Sequence, residues 1–242
     1  MKKYLKKTIK SFLSKFGWKL IKIRRIPEPN PFGKIDINLL KTINESTGII
    51  HLGAHRGTEA EIYNWFGKNV IWIEASPEIF ESLKENLFFY KNQKPIQALL
   101  NDKDGELINF NISNYDGACS SIFNFTDEIR NSEQWKNRDH KMIKSINLKS
   151  ITLDTLLKNE NILTKDYNHW VLDLQGAELL VLKGSEKSLK NCKSLLIEVS
   201  TKQFYSNGDM WLDIKKWLNQ RGFKNYKEPE MDEEDILFTR SI

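Results

Sequence analysis

The chain has 242 residues, 40% of them hydrophobic, which fits one large domain better than two because α/β domains often reach this size undivided. Its two cysteines, Cys119 and Cys192, lack a CxxC partner, which argues against a disulfide framework and favours a reducing cytoplasm. The net charge of +5 is uneven: residues 1–25 carry ten of the 37 basic residues and no acid, so the remainder has 27 basic against 32 acidic residues. This acidic remainder argues against a nucleic-acid-binding domain.

The basic segment at residues 1–26 has the pattern of an amphipathic helix. Apolar residues recur there every three or four positions, at Leu5, Ile9, Phe12, Phe16 and Leu20. Lysines interrupt the apolar residues, which argues against a signal peptide and against a transmembrane helix. The helix either packs on the domain or on a second subunit, lies on an anionic membrane surface, or serves as a nucleic-acid arm.

Residues 27–47 are predicted to be a proline-containing linker and a lead-in helix. Pro27, Pro29 and Pro31 end the basic helix, and residues 36–45 favour a short helix. The patterns in residues 48–242 predict strands at 48–52, 70–74, 95–100, 107–112, 146–148, 169–174, 195–200, 223–226 and 235–239. They predict helices at 59–66, 77–90, 177–189 and 210–221, and a turn into a helix at 150–157.

This alternation of strands and helices predicts an α/β, Rossmann-like fold. We expect a mostly parallel central sheet with an antiparallel edge strand and helices on both faces. The polar segment 114–144 has no clear periodicity and is long for a loop, so we interpret it as a lid or a substrate-binding insertion.

The segment Ile49–Pro77 carries the strongest functional signal. It predicts one βαβ unit with Gly53 and Gly57 in the first turn and Glu74 at the tip of the second strand, where an acid can bind ribose hydroxyls. The dinucleotide pattern GxGxxG fails because His55 occupies the position of its second glycine, and no GxxxxGK[ST] phosphate loop is present. The spacing therefore favours S-adenosylmethionine as the cofactor.

Several ordered motifs resemble the FkbM family of S-adenosylmethionine-dependent methyltransferases. They lie at residues 49–57, 73–77, 172–179 with Lys183 and Gly184, 195–199 and 235–238, with similar segments at 120–121 and 153–156, so that the resemblance covers about residues 48–240. It implies a class I methyltransferase domain at residues 48–242. Two residues depart from the family pattern: His51 and His55 stand where aspartate and asparagine are usual.

Candidate site residues follow from these motifs and from the carboxyl ends of the predicted strands. The cofactor would be bound by residues of the first two motifs and by the turn after the third strand: His51, Gly53, Ala54, His55, Gly57, Glu74, Ala75, Asn101 and Asp102. Asp173 and Glu178 are the candidates for a catalytic base or substrate anchor. Ser120, Ser121 and Glu198 are candidate substrate-binding residues, and no ligand spacing calls for a metal.

The resemblance implies O-methylation of a hydroxyl on a sugar, glycan or natural-product scaffold. With the basic helix, it suggests a cytoplasmic enzyme that works peripherally at the inner membrane surface, without a nucleic-acid partner. The alternatives are a nicotinamide-dependent oxidoreductase, which the missing glycine disfavours, and a non-catalytic Rossmann-like protein that has lost cofactor affinity through His51.

Overall fold

The structure is a computed structural model that describes residues 36–241. The predicted basic helix of residues 1–26, and residues 27–35 of the predicted linker, lie outside the described residues. Both stay predictions.

The central sheet has seven strands in the order β3-β2-β1-β7-β8-β10-β9. These strands are β1 (Ile49–Leu52), β2 (Val70–Glu74), β3 (Gln93–Gln97), β7 (His169–Leu172), β8 (Ser194–Ser200), β9 (Lys224–Asn225) and β10 (Glu233–Thr239). The first five strands in the spatial order are parallel, and β10 is antiparallel to both of its neighbours. The carboxyl ends of β1, β2 and β7 therefore meet at one edge of the sheet.

Helices cover both faces of this sheet. They are α1 (Ile37–Glu45), α2 (Ala60–Trp65), α3 (Pro77–Leu87), α4 (Glu128–Asn131), α5 (Leu153–Asn159), α6 (Glu178–Lys183) and α7 (Trp211–Asn219), with two 3-10 turns at Thr164–Asp166 and Ser188–Asn191. Successive strand residues point to opposite faces, so Ile49 packs with α1, α2 and α3, whereas Ile50 packs with α5, α6 and α7. The predicted fold class is confirmed.

A second, three-stranded sheet lies between β3 and β7 in the chain. It consists of β4 (Leu99–Leu100), β5 (Leu107–Ser113) and β6 (Met142–Ile151), in the order β4-β6-β5. The prediction of an irregular segment up to residue 144 was wrong at its end, because β6 begins at Met142 and pairs with β5. The strand predicted at 146–148 lies inside β6, but most β6 side chains are exposed or half-buried and many are polar, so the sequence pattern did not reveal its full length.

Three further details differ from the sequence prediction. The predicted strand 95–100 is divided between the two sheets, because β3 ends at Gln97 and β4 follows at Leu99. The antiparallel strand β10 lies one position inside the edge, because the short β9 pairs on its outer side. The predicted helix 177–189 ends at Lys183, since the chain turns at Gly184, and the 3-10 turn Ser188–Asn191 follows as a separate element. The carboxylate of Asp154 holds this second turn by accepting hydrogen bonds from the backbone N–H groups of Lys187 and Ser188.

Among residues 36–241, no helix combines the length and the apolar character needed to cross a bilayer.

The turns after β1 and β7 are in direct contact. Gly53 has a φ of +82°, and a Cβ at this position would lie 1.7 Å from the backbone oxygen of Asp173. Both the left-handed backbone and the missing side chain are therefore required there.

We expect Gly53→Ala to lower the free energy of unfolding by more than about 3 kcal/mol, because the methyl group would force the two turns apart. Gly67→Ala is the matched control: Gly67 also has a positive φ, of +64°, but its Cβ would meet no atom within 4 Å. This control should lose only about 1 kcal/mol, from backbone strain alone. Urea denaturation of both variants measures the difference, and equal losses would contradict the steric explanation.

Candidate active site

A cavity of about 190 Å³ opens at the carboxyl ends of β1, β2 and β7. One wall comes from the second sheet and from the segment that follows β5. The residues that line it are His51, Gly53, Ala54, His55, Thr58, Glu59, Ile73, Glu74, Ala75, Ala98, Leu99, Leu100, Phe110, Gly117, Ala118, Ser120, Ile122, Asp173, Leu174, Gln175 and Ala177. Ligands of open α/β sheets bind at this edge, so the cavity is the candidate active site.

The turn after β1 is tied to the end of β2 by backbone hydrogen bonds. The N–H groups of Gly53 and Ala54 both donate to the carbonyl oxygen of Ile73, at 3.0 and 2.9 Å. The N–H of His55 donates to Oε2 of Glu74 at 2.8 Å. These bonds fix the floor of the cavity relative to the acid at the tip of β2.

Glu74 is a buried carboxylate that faces this cavity. Its Oε1 accepts a hydrogen bond from the N–H of Ser76 at 2.7 Å, while Oε2 is bound by His55. Burial raises the pKa of Glu74 to about 7, although these backbone donors act in the opposite direction. Each carboxylate oxygen can accept a second hydrogen bond, so Glu74 remains able to bind ribose hydroxyls.

His51 is buried at the end of β1 and also lines the cavity. Its ring stacks on Trp72, with ring centroids 4.6 Å apart, and its Nδ1 lies 3.3 Å from the hydroxyl of Tyr63. Burial lowers the pKa of His51, while the nearby acids Glu59 and Asp173 raise it. Because burial has the largest effect, the imidazole is neutral at pH 7 and supplies no charge of its own.

Asp173 lies directly after β7 and belongs to a network of polar side chains. Nε2 of Gln175 donates to Oδ1 of Asp173 and, at 2.7 Å, to Oε2 of Glu198. The hydroxyl of Tyr205 donates in turn to Oε1 of Gln175. Burial raises the pKa of Asp173, and it raises the pKa of Glu198 well above its usual value.

Glu178 lies below the turn after β7 and does not line the cavity. Its Oε1 accepts hydrogen bonds from the N–H groups of Leu174 and Gly176, at 2.8 and 3.3 Å. Burial raises the pKa of Glu178 to about 8. The structure therefore places this candidate catalytic acid as a support for the Asp173 turn.

The two predicted serines have different positions. Ser120 lines the cavity and its hydroxyl accepts a hydrogen bond from the N–H of Ser113 at 3.1 Å. Ser121 lies behind the wall, and its hydroxyl donates to the carbonyl oxygen of Gln175 at 2.7 Å. Ser121 thus fastens the segment after β5 to the turn that carries Asp173.

Four other predicted site residues do not line the cavity. Glu198 lies behind Asp173, as described above. Asn101 and Asp102 pack against Gly184, whose Cβ would come within 2.3 Å of the Asn101 carbonyl oxygen. Gly57 packs against α3, where a Cβ would lie 2.8 Å from a methyl carbon of Leu83.

The sequence analysis did not name most of the apolar lining, and it also missed three polar residues on which the site depends. Glu59 precedes α2 and lines the cavity, eight residues after His51. Gln175 lies within the motif at 172–179 and has a φ of +55°, which the sequence does not reveal. Tyr205 comes from the loop after β8, and no motif signals it.

The lining fits S-adenosylmethionine better than a dinucleotide. The acids Glu59, Glu74 and Asp173 suit a ligand with ribose hydroxyls and positive charge, and the apolar wall of Leu99, Leu100 and Phe110 suits an adenine ring. Among the described residues no lysine or arginine lines the cavity to balance a pyrophosphate. In the same part of the chain, no group of three His, Cys, Asp or Glu side chains could hold a metal ion.

Comparison with known proteins gives one family match. The sequence pattern of the methyltransferase FkbM domain matches residues 51–224. No curated protein matches the chain significantly.

Solved structures similar to this chain include three methyltransferases with low sequence identity. Magnesium protoporphyrin IX methyltransferase from Synechocystis PCC 6803, with bound S-adenosylmethionine, has 10% identity and a TM-score of 0.46, covering 84% of this chain and 77% of its own. Precorrin-6y C5,15-methyltransferase from Geobacter metallireducens has 12% identity and a TM-score of 0.44, covering 85% and 87%. A putative RNA methyltransferase from Pyrococcus horikoshii has 13% identity and a TM-score of 0.42, covering 98% of each chain.

The buried carboxyl of Glu178 makes the stability of the fold depend on pH. Folding raises its pKa from 4.5 to about 8, so the folded state binds its proton more tightly than the unfolded state does. The corresponding stability is fully present below the unfolded pKa and is lost as the pH rises towards the folded pKa.

We therefore expect Glu178→Gln, which keeps the accepting oxygen, to remove this loss. Relative to the wild type, its free energy of unfolding should rise by on the order of 1 kcal/mol per pH unit between about pH 5 and pH 8. Urea denaturation across this range measures it. Glu85→Gln, at an exposed position of α3, is the control, and parallel curves for wild type and Glu178→Gln would refute the assignment.

Proposed function

Because the chain belongs to the FkbM methyltransferase family, it is an S-adenosylmethionine-dependent methyltransferase, and we propose that it methylates a hydroxyl on a sugar, glycan or natural-product scaffold. The observation that carries this proposal is Asp173, a carboxylate on the cavity wall at the carboxyl end of a central strand. A hydroxyl acceptor needs a group that removes its proton, and Asp173 is placed to do so.

The bound cofactor would be held by the two turns already described. Glu74 would accept hydrogen bonds from the ribose, and the apolar wall of Leu99, Leu100 and Phe110 would contact the adenine. When bound, S-adenosylmethionine supplies an electrophilic methyl group on a sulfonium sulfur. The protein contributes mainly the alignment of the acceptor oxygen with that group, which is a large part of the catalysis of any bimolecular transfer.

Asp173 would act as the base for the acceptor hydroxyl. Its burial raises its pKa, which makes the carboxylate a stronger proton acceptor than an exposed aspartate. Nε2 of Gln175 donates to Oδ1 of Asp173 and to Oε2 of Glu198, and the hydroxyl of Tyr205 holds the other end of this amide. These hydrogen bonds orient the carboxylate, so that one of its oxygens can face the cavity.

The charge of the lining favours a neutral acceptor. Glu59, Glu74 and Asp173 line the cavity, and among residues 36–241 no lysine or arginine does. A phosphate or sulfate next to the reacting oxygen would be repelled by these acids. A sugar or alcohol hydroxyl meets no such repulsion.

We expect Asp173→Asn to reduce methyl transfer by about 100- to 10,000-fold, because the amide cannot take up the proton. The assay uses methyl-labelled S-adenosylmethionine and glycan or small-molecule fractions of a lysate, and follows the label into product. Calorimetry should show that the variant binds the cofactor within a few-fold of the wild type. Asp213→Asn, at an exposed position of α7, is the matched control, and full activity of Asp173→Asn would rule out this base.

The chemical stability of the labelled product tests the acceptor. A methyl ether on a hydroxyl resists mild alkali, whereas a methyl ester on a carboxylate is hydrolysed and releases labelled methanol. We expect the label to stay with the non-volatile product after alkali treatment. Release as methanol would contradict the hydroxyl assignment while leaving the methyltransferase activity intact.

The basic segment at residues 1–26 motivates a further part of the proposal, that the acceptor is a lipid-linked glycan reached at an anionic membrane surface. The support is the sequence pattern of an apolar stripe flanked by lysines. Each lysine near the headgroups would contribute on the order of 1 kcal/mol.

Flotation with liposomes tests this membrane binding. We expect the full chain to float with anionic vesicles and to stay unbound with neutral ones, and high salt should weaken the binding. A chain lacking residues 1–26, and a full-length variant with Lys10→Glu, Lys15→Glu and Lys19→Glu, should both lose it. If the full chain also stays unbound, the membrane proposal fails.

A further inference from the structure

One acid of the cavity lining, Glu59, has no role in the proposed mechanism. Glu59 immediately precedes α2 and lines the cavity together with His51 and Asp173. The other two acids of the lining are engaged: backbone N–H groups bind Glu74, and Gln175 binds Asp173. The carboxylate of Glu59 accepts a hydrogen bond from the hydroxyl of its neighbour Thr58, at 2.7 Å, to Oε1.

Glu59 also lacks a cationic partner within the described part of the chain. The ion pairs among residues 36–241 involve other acids, many of them exposed on the surface. Glu59 raises the pKa of His51 more than Asp173 does. Burial lowers this pKa by more than either acid raises it and keeps the imidazole neutral. The negative charge of this wall is therefore left for a ligand to balance.

The acids of the cavity also repel each other. Glu59 and Asp173 line the same cavity, and the charge of Glu59 acts to raise the pKa of Asp173. A cation bound near them would relieve this repulsion and gain attraction in a site of reduced dielectric constant. The methyl donor carries two positively charged groups, the sulfonium and the ammonium of its amino-acid end, against one carboxylate.

From this arrangement we propose that Glu59 binds the ammonium group of the cofactor's amino-acid end, at the wall shared with His51. This inference rests on the proposed function, since it deepens the use of the same cavity. Asp173 is assigned to the acceptor hydroxyl, and Glu74 lies at the end of β2, where the ribose is expected. Glu59 thus supplies the negative charge that the neutral imidazole at position 51 does not.

Three ligands that differ at the amino-acid end test the assignment. S-adenosylmethionine carries the sulfonium and the ammonium and carboxylate of its amino-acid end, S-adenosylhomocysteine keeps the amino-acid end without the sulfonium, and 5′-methylthioadenosine has none of these charged groups. For Glu59→Gln we expect calorimetry to show about 10- to 100-fold weaker binding of the first two ligands, which is the usual cost of losing a charge-assisted hydrogen bond. The affinity for 5′-methylthioadenosine should be unchanged.

Two variants control for effects on folding and shape. Glu61→Gln removes an exposed acid of the same helix and should leave all three affinities unchanged. Glu59→Asp keeps the charge on a shorter side chain and should lose less affinity for S-adenosylhomocysteine than Glu59→Gln does. Thermal melting of each variant verifies that it is folded.

Each other outcome overturns the inference in a distinguishable way. Equal losses for all three ligands would mean that Glu59 shapes the cavity, and a loss confined to S-adenosylmethionine would place Glu59 at the sulfonium. If Glu59→Gln binds all three ligands as the wild type does, Glu59 has no part in binding. If the wild type binds none of them, the proposed function itself is refuted, and the assignment of Glu59 with it.

Discussion

The contact between the turn after β1 and the turn after β7 determines the geometry of the whole site. The backbone oxygen of Asp173 occupies the space where a side chain at Gly53 would be, so the two turns lie against each other. The N–H groups of Gly53 and Ala54 then reach the carbonyl of Ile73, and that of His55 reaches Glu74. One backbone contact thus sets the relative positions of three strand ends. The cavity exists because these ends are fixed together.

The second constraint is the burial of carboxyl groups around this contact. Glu74, Asp173, Glu178 and Glu198 all have raised pKa values, and burial is the largest cause for each. Taking a charged group out of water is unfavourable, so such groups persist only where hydrogen bonds compensate for part of the cost. Here these hydrogen bonds come from backbone N–H groups and from Gln175. Of these four acids, Glu74 and Asp173 line the cavity, and Asp173 is the carboxylate proposed to accept a proton.

The second sheet completes the site by covering it. Residues of β4, β5 and the segment after β5 form one wall, and Ser121 joins this segment to the turn of Asp173. The bridge between Phe125 and Tyr205 adds a second connection, and Tyr205 also contacts Gln175. An acceptor bound against the segment after β5 would therefore lie close to the side chains that orient the proposed base. This explains how an irregular insertion and a regular sheet can act as one site.

The sequence alone determined the fold class, the family resemblance and the segments that carry the cavity. Apolar strands and amphipathic helices alternate with periods that local physics enforces, and the turn motifs lie at fixed distances from them. It also identified Glu74 and Asp173, because acids at the carboxyl ends of parallel strands meet at one edge. The strand predicted at 146–148 lies in the middle of β6, but the full length of β6 and the break after Lys183 escaped detection, since neither shows the apolar pattern of a regular element.

Only the tertiary structure decided which of the candidate residues face the cavity. Glu178 and Glu198 point into hydrogen-bond networks behind Asp173, while Glu59, which no motif marks, lines the wall. The orientation and burial of a side chain depend on how distant segments pack. Tyr205 and Gln175, for example, are 30 residues apart in the sequence and share a hydrogen bond. Burial, and with it the protonation of each acid, is likewise a property of the packed chain and is absent from the order of its residues.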